Sequence, residues 1–396
     1  MHQLVVKLKQ HTPLIHFQHD QDGATIRASE VKPKLDRFLL EKLKGDQIPF
    51  RNLLSGRGEH DSLDYKMTIE SDNIETSIIP NRFPLYFGNM GEENATKEFR
   101  YCNGLTKVTF STYHDEIIEM LKRYLVEFFI TNNFGTRQSK GFGSFYIDRS
   151  DPLYKNPAST QMMDYRFKVK VNGNLNVQWN KLFKHINLFY STLRSGINIC
   201  NRDGRSIFYI KSIMFKYAKQ NGFQWDKKSI KEAYYHRDLT DQQRRRPDTD
   251  DSDTLHFSQA RNLNQKYLFK DLLGLSSCEK WLSYRKTITK SNAKIDRFKS
   301  PITFKPIRLN DDTIEVLFRG EPVNTNFVNQ DINIKSNNTG NLVLKTYPDF
   351  DIDDFLDYAI FDVKLKELLG DPAYEDSETF EIIEDIFKQI RKDYES

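Results

Sequence analysis

Apolar and polar residues alternate in four early stretches of the chain, which is the pattern of half-buried β-strands. These stretches are residues 4–8, 65–70, 74–79 and 105–112, and a short apolar run follows at 145–147. Two other segments carry apolar residues at intervals of three and four, as in a helix with one buried face. Their stripes are Val31, Leu35, Phe38, Leu39 and Leu43, then Ile117, Ile118, Leu121, Leu125, Phe128 and Phe129. This order predicts a βαββαβ unit of the ferredoxin-like class over residues 1–150.

The start of the first helix combines a cap residue with several cations. We expect Ser29 to cap this helix, which leaves Pro33 in the first turn, where proline is tolerated. Cations do not stabilise the N-terminus of a helix, but its free N–H groups suit an anion. The cations around this start are Arg27, Lys32, Lys34 and Arg37. As a group they favour an anionic ligand, although ordinary solvation explains any one of them equally well.

The second half of the chain mixes both periodicities. Residues 148–161 are rich in proline and small polar residues and are interpreted as a linker, after which residues 165–171 alternate again. Helices are expected at residues 177–193, 210–218, 229–235, 267–275 and 278–284, and strands at 296–307, 313–318 and 342–346. Residues 237–254 have almost no apolar side chains and opposed charge blocks, which is typical of a mobile loop. We predict a second ferredoxin-like domain over residues 160–348, so the fold class is α+β.

Charge is distributed unevenly along the 396 residues. Residues 349–396 carry 16 acidic and 5 basic side chains, whereas the rest of the chain carries 39 acidic and 54 basic ones. The last 48 residues also have an amphipathic helical pattern, so we predict an acidic helical tail that packs on the body or docks on a basic neighbour. A basic body suits a polyanionic partner, although lysine-rich surfaces also serve solubility alone.

Cysteine content and hydropathy limit the class of protein. The three cysteines, Cys102, Cys200 and Cys278, are far apart and form no CxxC pair. This argues for a reducing compartment and against a disulfide framework or a zinc ribbon. No apolar run reaches the length of a membrane helix, and the first residues have no long apolar signal segment. We therefore expect a cytoplasmic protein that has no membrane partner, and we expect no cofactor.

The most distinctive segment lies between the second helix and the last strand of the first domain, and reads RQSKGFGSF from Arg137. Arg137 and Lys140 suit a phosphate, and Gly141 and Gly143 allow another backbone to come close. The spacing is neither that of a P-loop nor that of a dinucleotide site. Phe142 can stack on a base, which is worth about 1–3 kcal/mol, or it can lie buried under the loop. A plain turn between helix and strand is the remaining alternative.

Together, these features resemble a known family. The Thr12-Pro13 turn after the first strand, the segment Ile26–Lys32 running into a helix, and the Lys-Gly-Phe-Gly-Ser loop resemble the RAMP superfamily of CRISPR-associated proteins. The segment Arg297–Lys305 resembles the Ser-Pro strand of RAMP proteins with two such domains, and the layout is most similar to the first Cmr subunit of type III-B effector complexes. Ala28 and Pro33 depart from the family pattern, because glycine is common at those positions.

The resemblance implies RRM-related domains that hold a CRISPR RNA. It implies a non-catalytic subunit at the filament end that binds crRNA, target RNA and other RAMP subunits in antiviral defence. RNA contact is assigned by the motifs to Arg27, Ser29, Lys32, Lys140, Gly141, Phe142 and Gly143. Charge and position add Arg37, Arg137, Arg297 and Lys299.

Two other functions remain open from the sequence. Some RAMP proteins are metal-independent endoribonucleases that cut CRISPR repeats, and this chemistry needs a general base near a 2′-hydroxyl. His11, His16 and His19 lie near the end of the first strand, where such a base would be needed. Asp20 and Asp22 could join His16 and His19 around an ion, but no other element completes the set, so we expect no metal site. A stand-alone RRM-like protein is the third alternative.

Overall fold

The computed structural model describes residues 1–16, 25–55, 62–80, 83–85, 98–203, 206–235, 266–281, 286–295 and 298–395. The chain forms two compact units, one of residues 1–184 with 303–319 and one of residues 185–302 with 320–396. These units do not coincide with the predicted boundaries at residues 150, 160 and 348. The predicted mobile loop at 237–254 lies outside the described residues.

The first 200 residues contain three helices and eight strands in the described ranges. The helices are α1 (Ala28–Gly45), α2 (Asp115–Thr131) and α3 (Leu175–Arg194). The strands are β1 (His2–Gln10), β2 (Lys66–Ser71), β3 (Ile74–Ile78), β4 (Glu98–Cys102), β5 (Thr106–Thr112), β6 (Phe145–Ile147), β7 (Tyr165–Lys170) and β8 (Ile197–Cys200). The two helices predicted from the stripes of the first 150 residues are thus confirmed as α1 and α2, and the helix predicted at 177–193 is confirmed as α3.

The remaining described residues contain four helices and eight strands. The helices are α4 (Ile213–Gln220), α5 (Asp226–Tyr235), α6 (Ile352–Asp357) and α7 (Glu378–Tyr394). The strands are β9 (Ser206–Ile210), β10 (Tyr267–Leu268), β11 (Cys278–Trp281), β12 (Lys286–Ser291), β13 (Ile302–Asn310), β14 (Thr313–Gly320), β15 (Asp331–Ser336) and β16 (Thr339–Thr346).

A four-stranded sheet with the order β2–β5–β1–β6 organises the first unit. All neighbouring strands in it are antiparallel, and Val6 stands opposite Val108 in the centre. The apolar face of this sheet packs on α1 and α2, whose predicted stripes are buried in the same core apart from the partly buried Phe38. The Phe38 and Phe128 rings, one from each helix, lie 5.6 Å apart between centroids. Alternation and helical spacing therefore placed this core correctly.

Two smaller sheets complete the first unit. β3 and β4 form an antiparallel hairpin, and β13, β14 and β7 form a three-stranded sheet in that order. Residues 137–145 are called the glycine segment from here on. β13 connects to this segment through Lys305, whose side chain is fully buried. The Lys305 ammonium group donates to the backbone oxygens of Asn132 and Phe145, each at 2.7 Å. Burial holds the pKa of Lys305 well below its usual value.

The second unit is built around a five-stranded sheet with the order β10–β16–β15–β12–β11. The helices predicted at 267–275 and 278–284 are wrong, because these segments form the edge strands β10 and β11 and a 3-10 turn at Lys270–Leu273. Charged side chains of these segments are buried and form a network. Lys290 donates to Asp271 at 2.5 Å and to Glu279 at 2.8 Å, and Lys270 also pairs with Glu279 at 2.7 Å.

The acidic C-terminal segment packs into the second unit. Part of the amphipathic pattern predicted for the last 48 residues is present as the helix α7. The apolar side of α7 is buried through Phe380, Ile383, Ile386, Phe387 and Ile390. The Phe387 ring packs on that of Phe189 at 5.2 Å between centroids. Arg391 donates to the carbonyl oxygens of Ile360 and Val363, which ties α7 to the segment after α6.

We expect Phe387→Ala to lower the free energy of unfolding by about 3–5 kcal/mol, because it removes a fully buried ring. Equilibrium denaturation of the full chain measures this. The neighbouring exposed Lys388 is the control, and Lys388→Ala should change stability by no more than about 0.5 kcal/mol. Equal effects of the two substitutions would show that the packing of α7 does not stabilise the protein.

Candidate nucleic-acid interface

The glycine segment turns tightly against its own domain. Gly143 has a φ of +64°, and a Cβ built there would lie 2.0 Å from the carbonyl oxygen of Phe134. Phe134 donates its N–H to the Gly143 oxygen at 3.0 Å, and Gly143 donates its own N–H to the Pro13 oxygen at 2.9 Å. Glycine is therefore required by a backbone contact within the protein, rather than by an approaching phosphate.

The turn after β1 and the glycine segment form one hydrogen-bonded structure. The Thr12 hydroxyl donates to the Gly141 oxygen at 2.6 Å and accepts the Ser144 N–H at 2.9 Å. Gly141 itself has a φ of +92°. The two motifs that the sequence singled out separately, Thr12-Pro13 and the glycine loop, thus meet in space and fix each other.

Phe142 is enclosed, so the prediction that it stacks on RNA is wrong for this conformation. Its ring is fully buried and stacks on Phe183 at 3.9 Å with an interplanar angle of 9°. Phe83 and Phe99 pack around it, each at 6.2 Å between centroids. The alternative interpretation, a packing plug beneath the loop, describes the observed position.

The two cations of the glycine segment, Arg137 and Lys140, are only partly exposed or buried. Lys140 is only 9% exposed and ends a short 3-10 turn, Gln138–Lys140. Arg137 precedes that turn in a left-handed conformation with a φ of +57° and is partly exposed. Together with the burial of Gly141 and Gly143, this leaves Arg137 as the most accessible member of the predicted loop site.

The structure brings α1 and the glycine segment together, as a shared site requires. A carboxylate oxygen of Glu30 accepts the N–H of Gly135 at 2.6 Å. Lys34 donates to the carbonyl oxygen of Asn133 at 2.9 Å and to the side chain of Gln138. Neither Glu30 nor Lys34 was assigned an RNA contact from the sequence, although Lys34 was counted among the cations around the start of the helix.

α1 begins earlier than expected. Arg27, not Ser29, is the N-cap residue, and its backbone is extended with a φ of −115°. Ser29 lies exposed in the first turn, and Pro33 lies inside the helix rather than in its first turn. The prediction of a serine cap is therefore wrong. An exposed proline inside the helix costs one backbone hydrogen bond, while the buried stripe of α1 retains the helix.

A groove of about 670 Å³ runs along α1 and collects several predicted residues. Lys32 in this groove is already engaged, because its ammonium group pairs with Asp36 at 2.8 Å and lies 3.9 Å from the centre of the Tyr65 ring. Arg37 and Lys44 are exposed and form no ion pair with any described residue. Of the predicted residues on α1, Arg37 is thus the cation best placed to meet a ligand.

The last two predicted residues, Arg297 and Lys299, come just before β13 in the sequence. Lys299 belongs to the second unit and pairs with Glu321 at 3.4 Å on the surface. Arg297 lies outside the described residues. Ser300 and Ile302, which follow in the Ser-Pro motif, are buried and lead into β13.

The histidines considered as general bases are buried where they are described. His11 is 7% exposed, and its Nδ1 accepts the N–H of Arg308 at 3.1 Å. Burial first, and then the charges of Lys305 and Arg308, hold the pKa of His11 well below its usual value, so its ring is neutral at physiological pH. His16 is also buried, whereas His19, Asp20 and Asp22 lie outside the described residues. Among the described residues, no group of three or more His, Cys, Asp or Glu is placed to hold a metal ion.

We expect Gly143→Ala to destabilise the protein by more than about 1 kcal/mol, because both the positive φ and the Phe134 backbone oppose a Cβ. Thermal or chemical unfolding of the full chain measures this. Gly45, at the end of α1, has open space around its Cβ position and is the control. Gly45→Ala should be neutral or slightly stabilising, and a harmless Gly143→Ala would contradict the close contact.

Comparison with known proteins adds the family. The description "Cmr1 N-terminal domain" matches residues 1–197, and "Cmr1 C-terminal domain" matches residues 209–392. No curated protein matches the chain. No helix in the described ranges is long and apolar enough to cross a membrane.

Two solved structures show more distant similarity. Cmr1 from Pyrococcus furiosus, in its apo form, is 11% identical, with a TM-score of 0.38 over 87% of this chain and 94% of that one. A chain of the type III-B Cmr-beta complex bound to cognate target RNA is 15% identical, with a TM-score of 0.27 over 37% of this chain. The match spans 58% of that second chain. The two domain matches cover nearly the whole sequence, and the chain therefore belongs to the Cmr1 family.

Proposed function

We propose that this protein is a non-catalytic, RNA-binding subunit of a type III-B CRISPR effector complex in the cytoplasm. In this role it contacts crRNA, target RNA and neighbouring RAMP subunits. The observation that carries the proposal is the match of both Cmr1 domains, in the expected order, over residues 1–197 and 209–392. The family membership supports an effector role, while the RNA contacts are argued from this chain's own residues.

Strand order supports the proposed ferredoxin-like domains. In the first domain, β1, α1, β2, β5, α2 and β6 follow each other along the chain and pair as β2–β5–β1–β6. This is the arrangement of two interleaved, split βαβ units, with the β3–β4 hairpin inserted. In the second, β7, α3, β13 and β14 repeat the first four elements, and β14 pairs between β7 and β13. A fourth strand does not join this sheet in the described residues.

Exposed cations beside α1 support the RNA role. Arg37 and Lys44 line the same groove as Ser29. Among the described residues that line it, Glu41 and the already paired Asp36 are the acidic ones. Phosphate contacts of this kind hold a strand without reading its sequence. In this proposal the glycine segment does not touch RNA. It holds α1 in place, through the hydrogen bonds of Glu30 and Lys34 with the chain around this segment.

The position of His11 supports a role without cleavage. A general base has to reach the proton that it removes, and the base should also have a pKa near the working pH. His11 meets neither condition, because it is buried and its pKa is well below the usual value. Its Nδ1 is also occupied by the N–H of Arg308, which anchors β13 to the end of β1.

We expect Arg37→Glu with Lys44→Glu to weaken binding of single-stranded RNA and to reduce the slope of log K against log salt by roughly 1.4, since about 0.7 is lost per phosphate contact. Fluorescence anisotropy of the full chain with labelled crRNA across a salt series measures both quantities. Lys122→Glu with Lys155→Glu, at exposed positions elsewhere in the same unit, is the charge-matched control. The same loss in both variants, or in neither, would contradict a binding role for this groove.

A further inference from the structure

In the four-stranded sheet of the first unit, β6 is buried on both sides, whereas β1, β2 and β5 are exposed on one side. The sheet's apolar side chains, such as Val6 and Phe110, turn toward α1 and α2, so the alternate residues of β1, β2 and β5 point the other way. Lys7, Lys66 and Lys107 lie on this side and are exposed. We call the surface formed by these alternate residues the open face.

Adjacent positions on the open face follow from the strand register. Lys7 stands directly opposite Lys107, and Glu70 stands on the other side of Lys107. Lys66 lies opposite Ser111 on β5. Like charges on directly opposed residues destabilise a sheet, so the Lys7–Lys107 pair is unfavourable unless an anion lies nearby. Glu70 is the only acidic residue at these positions, against three lysines.

None of the three lysine ammonium groups is used inside the protein. Within the described residues, Lys7, Lys66 and Lys107 form no side-chain hydrogen bond and no ion pair. This contrasts with Lys32, Lys34 and Lys305, whose ammonium groups are bound to protein oxygens. Three lysines without an ion pair, against the single carboxylate of Glu70, give these positions a net positive charge.

The chemistry of the open face suits a polyanion better than a protein surface. Lysine and serine are depleted in protein–protein interfaces, where aromatic residues, methionine and arginine are enriched. Val5 is the one apolar residue here, at 41% exposed. Its cross-strand partner is Thr109, which on its other side stands opposite Thr68, so hydroxyl-bearing residues continue the row. Tyr146 of β6 is buried, so it offers no ring on which a base could stack. Contacts would therefore go to phosphates and sugars.

We propose that the open face binds an RNA strand through its phosphates, with Lys7, Lys66 and Lys107 as the principal contacts. This inference rests on the RNA-binding function proposed above and adds a second surface, distinct from the α1 groove. Thr68 and Thr109 lie between the rows of lysines and supply hydroxyl groups to phosphate or sugar oxygens. Binding of this kind does not depend on RNA sequence.

The test is charge reversal of the three lysines in the full-length chain. We expect Lys7→Glu with Lys66→Glu and Lys107→Glu to weaken binding of a mixed-sequence, single-stranded RNA at least about tenfold at 50 mM salt. We expect the slope of log K against log salt to fall by about 2, because three phosphate contacts of roughly 0.7 each are lost. Fluorescence anisotropy over 50–200 mM salt provides both values.

Two further variants control for charge and folding. Lys122→Glu with Lys155→Glu and Lys170→Glu makes the same change in net charge at exposed positions of the same unit, and should keep the affinity within about threefold. Because three glutamates beside Glu70 could repel one another, the corresponding triple Lys→Gln variant is measured in parallel. It should show the same direction of change with an unaltered unfolding midpoint.

Several outcomes would overturn the proposal. If the wild-type chain binds RNA and the open-face variants bind it with the same affinity and salt slope, the open face is not an RNA surface, while the proposed function stands. Equal losses in the open-face and control variants would show a dependence on net charge alone. Unchanged RNA binding with loss of co-purifying subunits would assign the face to a protein partner. Absence of RNA binding by the wild-type chain would remove both the inference and the proposed function.

Discussion

The contact between the backbones of Gly143 and Phe134 is the constraint on which the surrounding structure depends. No side chain fits between these two segments, and the hydrogen bonds of Gly143 to Phe134 and Pro13 hold the end of β1 against the end of α2. From this point, Thr12 and Ser144 extend the network, and Ser144 donates to Pro306 of β13. The glycine motif therefore acts as a structural junction. Its cost in backbone entropy is offset by the strands and helix that it joins.

This junction changes the way the cations of the chain should be interpreted. Lysines near it are mainly structural: Lys34 holds Asn133, and Lys305 holds Asn132 and Phe145 from a fully buried position. In the second unit, Lys290 balances Asp271 and Glu279 in the same way. The charges available to a ligand lie elsewhere, on the exposed side of α1 and on the open face. A count of basic residues cannot separate these two groups, because burial and pairing arise only in the folded chain.

Periodicity predicted the elements of the first unit well, since long stripes such as that of α2 identify both a helix and its buried side. The helices expected at residues 267–275 and 278–284 are wrong, because the described residues there form two edge strands and a 3-10 turn. The interior pairing of Lys270, Asp271 and Glu279 that accompanies these strands arises only in the folded chain. Resemblance to a family led correctly to Cmr1, and the two segments that it singled out, α1 and the glycine segment, are hydrogen-bonded to each other in the structure. The resemblance could not show that Phe142 faces Phe183, because stacking on a base and packing in a core require the same side chain. Nor could a local motif reveal the open face, whose lysines are distant in sequence and adjacent only through strand register.

The central claim is that this chain works as an RNA-binding subunit of a type III-B effector complex. The most direct test is to isolate the tagged full-length protein from cells that carry its CRISPR locus, and to sequence the bound RNA while identifying the accompanying proteins. The account predicts discrete crRNAs together with several co-purifying RAMP subunits. Heterogeneous cellular RNA without partner proteins, or no RNA at all, would contradict it.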